Sequence, residues 1–85
     1  WQEFYDENDR VVIILEHIDY LLKLRNEKSY YGLAAYSISQ LNDSVSASFE
    51  TLHQLRGIGK TTVRLIREII DTGTSTYYTR LLNNH

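Results

Sequence analysis

The chain contains no cysteine and no proline among its 85 residues. Without cysteine there is no disulfide framework and no thiolate metal site, a usage that fits an intracellular protein, nuclear in a eukaryote and otherwise cytoplasmic. Without proline, no residue of that kind breaks a largely helical pattern. Methionine is absent too, and Trp1 stands where an initiator would, so the sequence reads as a segment of a longer protein. No apolar run approaches transmembrane length. The acidic N-terminus has the wrong charge for a signal or transit peptide. A chain this short buries only a modest core, which argues against a large enclosed active-site cavity. Glycine is scarce as well, yet two of the four glycines stand one residue apart, in Gly57-Ile58-Gly59.

The hydrophobic share, 42%, supports one globular domain and argues against disorder. The net charge of −2 hides a strong segregation. Residues 1–24 hold six acids (Glu3, Asp6, Glu7, Asp9, Glu16 and Asp19) against Arg10 and Lys23, a net of −4. Residues 53–70 hold Arg56, Lys60, Arg64 and Arg67 against Glu68 alone, a net of +3. The positive end is centred on the Gly-Ile-Gly stretch.

Apolar spacing predicts a compact all-α bundle of four main helices over 8–82, with 1–7 as an aromatic and acidic extension. The first helix starts at Asn8 or Asp9, both good N-caps, and carries Val11, Ile14, Leu15, Ile18, Leu21, Leu22 and Arg25 at helical spacing. Asn26-Glu27-Lys28 breaks it. Ser29 caps a second helix whose core face is Tyr30, Ala34, Ile38 and Leu41, widened by Leu33. A serine-rich loop follows Leu41. Phe49, Leu52 and Leu55 predict a short third helix ending at Arg56. Thr62, Val63, Ile66, Ile69 and Ile70 predict a fourth, stopped where Gly73 can adopt the left-handed C′ conformation. Tyr77, Tyr78, Leu81 and Leu82 suggest a last short turn.

Joining two helices through three residues forces a sharp reversal. Glycine supplies positive φ and close backbone approach, while Ile58 between the glycines points inward. The next helix then opens at Gly59 or Lys60 with unpaired amides at the positive end of its dipole, an anion site. Lys60 adds a full charge there and Arg64 follows one turn on. Leu52, Leu55, Gly57, Ile58, Gly59, Val63 and Ile66 together form the helix-hairpin-helix pattern, which grips DNA through its phosphates and so without sequence preference. The expected contacts are Gly57, Ile58, Gly59, Lys60, Thr61 and Arg64.

From Asn8 to Leu82 the chain resembles the N-terminal helix-hairpin-helix domain of family X DNA polymerases, the polymerase beta-like repair enzymes, with a SAM-like fold. The resemblance is carried by "NDRVVIILEHIDYLL" for the first helix and "SYYGLAAYSISQL" for the second. It is completed by "LHQLRGIGKTTVRLIREIIDTG" for the hairpin and its closing helix. It implies DNA as partner, at a gap or a single-strand/double-strand junction, together with the rest of a polymerase chain and no membrane. It also implies that the carbonyls of His53, Leu55 and Ile58 coordinate Na+ or K+ against a DNA phosphate, with no other cofactor required. In beta-like members a lysine six residues after the second hairpin glycine forms a Schiff base with a 5′-deoxyribose phosphate. That position is Leu65, which cannot form an imine. Other basic pocket positions fall on Gly32, Thr61 and Tyr77, while Tyr36 matches the pocket tyrosine. The resemblance therefore implies a DNA-binding domain that is not itself catalytic. The alternatives are a protein-interaction domain that has kept the fold without DNA, and a residual lyase using Lys60.

Other chemistry is thinly represented. His17, His53 and His85 lack metal-ligand spacing. Glu16 and Asp19 beside His17 read as an acidic helix face in water. Lys60-Thr61 lacks the glycine spacing and the strand of a P-loop. The tyrosine pairs can stack on bases or half-bury their rings. Trp1, Phe4 and Tyr5 can cover the core or meet a partner.

Overall fold

The computed structural model describes residues 7–83; the readings placed on Trp1, Phe4, Tyr5 and His85 lie outside them. Four α-helices run in order: α1 (Glu7–Leu24), α2 (Tyr31–Ser39), α3 (Lys60–Thr72) and α4 (Thr76–Asn83), with a 3-10 helix, Phe49–Gln54, before α3. The all-α expectation holds.

In α1 the stripe Val11, Ile14, Leu15, Ile18, Leu21 and Leu22 is buried as its spacing predicts. Fully covered side chains such as Leu15 and Ile18 each stabilise the fold by about 1.5–3 kcal/mol. α1 packs mainly on α2 and also touches α3 and α4, so it is the spine of the bundle. Arg25 does not extend the stripe. The helix ends at Leu24, Asn26 takes a left-handed φ of 60°, and the Glu27 N–H donates back to the Leu22 carbonyl at 3.0 Å. Arg25 is left exposed beside Glu27, at 3.0 Å. Asn8 is not an N-cap either, because the helix already includes Glu7. Its side-chain oxygen accepts the Val45 N–H at 2.7 Å and its amide donates to the Asp43 carbonyl at 2.9 Å. Glu7 accepts from the Ser46 N–H at 2.7 Å. These bonds tie the serine-rich loop to α1 and drive Val45 into the core, fully buried.

In α2, Ala34, Ala35 and Ile38 face the core. Tyr30, expected on that face, is 68% exposed, because it is the N-cap, outside helical geometry, and the stripe does not extend back to it. Ser29 still serves the helix start by accepting the Tyr31 N–H at 3.1 Å. The third predicted helix is the tighter 3-10 form and ends at Gln54 rather than Arg56. Leu55 turns extended, with ψ 150°. α3 ends at Gly73, φ 85°, whose N–H bonds to the Ile69 carbonyl at 2.8 Å. The predicted last turn is a full helix, α4. Its cap is Ser75, which is completely buried and accepts the Tyr78 N–H at 3.2 Å.

Candidate nucleic-acid interface

The hairpin is built from Leu55 to Lys60. Ile58 is 4% exposed and anchors the turn in the core, as its position between the glycines predicts. Gly57 has φ +81°, and a Cβ there would lie 2.9 Å from Leu33 Cγ and 3.1 Å from the Ala34 backbone nitrogen. Both conformation and packing against α2 therefore demand glycine. From α2, Ser37 Oγ donates to the Arg56 carbonyl at 2.8 Å, a second tie on the turn. Gly59 differs. Its φ is −106°, outside the left-handed region, and a Cβ there would meet nothing within 4 Å. What its small size leaves is open space over the start of α3.

Gly59 is the N-cap of α3, and no side-chain cap bonds to this helix start. The first backbone bond into the helix runs from the Val63 N–H to the Gly59 carbonyl, at 2.9 Å. The first-turn amides before it have no intrahelical acceptor, the standard vacancy at a helix start. The positive dipole end adds to them. Arg56, Lys60, Thr61 and Arg64 are all exposed around this point. Among the described residues Arg56, Lys60 and Arg64 enter no ion pair, whereas Arg67 Nε lies 3.3 Å from Asp71. Of the predicted contact residues, Gly59, Lys60, Thr61 and Arg64 thus lie exposed at the start of α3, while Ile58 is buried beneath them.

Three grooves surround the hairpin. The first, about 480 Å³, lies between Lys28–Tyr31 and the turn itself, Gly57–Gly59 and Thr62. The second, about 440 Å³, is lined by Tyr31, Thr61, Arg64, Leu65, Glu68, Ser75 and Tyr77. The third, about 500 Å³, lies between the 3-10 helix and α3.

The second groove collects Thr61, Leu65 and Tyr77, three positions that the polymerase resemblance assigned to a 5′-phosphate pocket. Leu65 is 7% exposed and packs into the core as an ordinary apolar residue. The tyrosine beside it is Tyr31, whose ring centroid lies 6.2 Å from that of Tyr77. Burial, with the neighbouring Tyr77, raises the Tyr31 hydroxyl above its usual pKa. Tyr36 is 63% exposed and lines none of the three grooves. The resemblance assigned the pocket tyrosine to Tyr36, and the helix phase puts Tyr31 beside Leu65 instead. Gly32 lies under Asp19, whose carboxylate would be 3.1 Å from a Cβ there. Burial pushes the Asp19 carboxyl up, but hydrogen bonds with Ser29, Lys23 and the Gly32 backbone, and the Lys23 charge, hold it below the usual range. Glu68 is lowered by its bonds to the side chain and backbone of Thr76; Thr76 Oγ1 donates to Glu68 Oε2 at 2.5 Å.

Of the three carbonyls expected to hold a monovalent cation, that of Leu55 already receives the Ile58 N–H at 3.2 Å. No cluster of three or more His, Asp or Glu side chains suited to a metal ion occurs among the described residues. His17 instead bonds through Nδ1 to the Tyr78 hydroxyl at 2.7 Å, linking α1 to α4.

A glycine-cornered turn between two helices, with an apolar anchor and an uncapped basic helix start, is the helix-hairpin-helix arrangement. The family model for the helix-hairpin-helix domain matches residues 6–75, most of the chain, and the chain belongs to that family. Domains of this family are generally associated with nucleic-acid binding. No curated protein and no solved structure matched the chain. No described helix is long and apolar enough to cross a membrane.

Proposed function

We propose that the chain binds DNA without sequence preference, by presenting the first amides of α3 and the side chains of Lys60 and Arg64 to a backbone phosphate. The observation that carries this is the bare start of α3, where Gly59 leaves open space over uncapped amides next to a lysine with no ion-pair partner among the described residues. An anion placed there gains hydrogen bonds, the helix dipole and a full charge together. Carbonyl ligation is independent of side chain, so His53, Leu55 and Ile58 are the proposed ligands for Na+ or K+ bridging the turn to that phosphate. The narrower proposal, a domain of a family X-like repair polymerase, is supported by the order of α1, α2 and hairpin along the chain.

Lys60→Glu tests the phosphate grip. It puts a negative charge where the anion binds, but an acid at a helix start favours the helix by about 0.3–1 kcal/mol. DNA binding should be largely lost while the melting temperature is kept or slightly raised. The wild type should bind two unrelated duplexes equally, at ~10⁻⁴–10⁻⁶ M, and weaken steeply with salt. Equal binding by wild type and variant would reduce the turn to a structural joint and leave a protein-interaction domain as the better reading.

A further inference from the structure

We infer that a strand gripped by Lys60 and Arg64 at the hairpin continues along the groove between the 3-10 helix and α3, where Arg67 takes its next phosphate. This deepens the phosphate-binding reading and rests on it. The groove is lined by Phe49, Glu50, His53, Lys60, Val63 and Arg64. Phe49 and Val63 are partly buried, so its floor is apolar and its charges stand at the walls. Lys60, Arg64 and Arg67 fall at i, i+4 and i+7, one face of α3. At 1.5 Å per residue, Arg64 and Arg67 lie roughly 6 and 10 Å along the axis from Lys60. The cations are therefore strung out like the phosphates of one strand rather than gathered at a point.

Arg67 marks the far end. Its guanidinium carbon lies 5.3 Å from the centroid of the Phe49 ring, and Nε faces Asp71 at 3.3 Å. These contacts orient the fork while leaving most of its five N–H donors for a phosphate. His53, on the opposite wall, brings a ring N–H. On the other side of α3 the balance is different. There the cleft over Leu65 offers Arg64 at its rim, faced by the Glu68 carboxylate, and no second cation. A phosphate leaving the hairpin in that direction meets an acid. In the 3-10/α3 groove it meets Lys60 and Arg64, opposed by the one acid Glu50, and beyond them Arg67, which lies over Phe49 and beside Asp71.

Since the chain has no cysteine, single-thiol variants place a photo-crosslinker at will. Glu50→Cys puts it in the proposed groove, and Thr79→Cys puts it on exposed α4. With a thiol-linked benzophenone and a short duplex, adducts are expected from Glu50→Cys and not from Thr79→Cys. In parallel, Arg64→Gln and Arg67→Gln should each weaken binding by about threefold to tenfold and flatten the log–log salt slope by about one. Glu50→Gln should tighten binding, while Glu16→Gln on the outer face of α1 should not change it. An adduct from Thr79→Cys overturns the groove, leaving the hairpin reading intact. So does a silent Glu50→Cys probe on DNA that still binds, or a neutral Arg67→Gln variant. If the wild-type chain fails to bind DNA at low salt, the hairpin reading fails and this inference falls with it.

Discussion

At the scale of the residue, the two hairpin glycines have separate tasks. Gly57 is held in a left-handed conformation against α2, with no room for a methyl group. Gly57→Ala should cost about 1–2 kcal/mol from the left-handed backbone, with more from displacing Leu33. Gly59 has ordinary φ and free space beside it, so Gly59→Ala should leave stability within about 0.5 kcal/mol of the wild type. Its effect belongs to binding, because the added methyl stands where a phosphate would approach. Thermal melts of the two variants beside their DNA titrations check the division. The sequence shows Gly-x-Gly as a single unit. Only the folded chain reveals which glycine serves the fold and which leaves the site open.

At the scale of the element, each helix end is stopped or started by a different piece of chemistry. α4 is started by two groups from outside its first turn: buried Ser75, and Glu68 on α3. Because the Glu68 carboxyl is lowered in the fold, the ionised form stabilises the native state. That contribution is complete above the unfolded value of about 4.5 and is lost as pH falls through the lower folded value. Glu68→Gln should therefore lower the melting temperature near neutral pH, and the difference from wild type should shrink on acidification. A gap that stays constant with pH would mean that the pair contributes nothing through charge. The length of α4 was not legible from the sequence, since Tyr77, Tyr78, Leu81 and Leu82 alone span under two turns. The helical spacing of α1, sustained over 18 residues, was legible almost to its ends.

At the scale of the whole molecule, the fold turns a segregated sequence into a charged end. The first-helix acids lie along the spine, with Asp19 tied to Lys23 at 2.9 Å, while among the described residues Arg56, Lys60 and Arg64 have no ion-pair partner around the hairpin. A net charge of −2 therefore understates the attraction of this end for a polyanion. The same arrangement bears on lyase chemistry. An imine needs an amine in a cleft that depresses its pKa, and the cleft beside the hairpin is floored by Leu65 instead. Borohydride reduction of the chain mixed with DNA bearing a 5′-deoxyribose phosphate should trap no covalent adduct. A trapped adduct would show that another lysine, Lys60 first among them, does the chemistry.

The sequence by itself determined the all-α class, the α1 stripe, the sharp turn at Gly57-Ile58-Gly59 and the basic helix behind it. Each of these is written in local spacing, where the physics of a helix period or a single φ is enough. The tertiary structure decided what local spacing cannot encode. It chose Tyr31 over Tyr36 beside Leu65, buried Val45 through bonds from Asn8, and exposed Tyr30 by starting α2 one residue after it. It also set a groove on each side of α3, one with Arg64 and Glu68 alone as charges and the other with Lys60 and Arg64 against Glu50. These outcomes depend on which helix faces meet, and that is settled by packing among residues far apart in the chain.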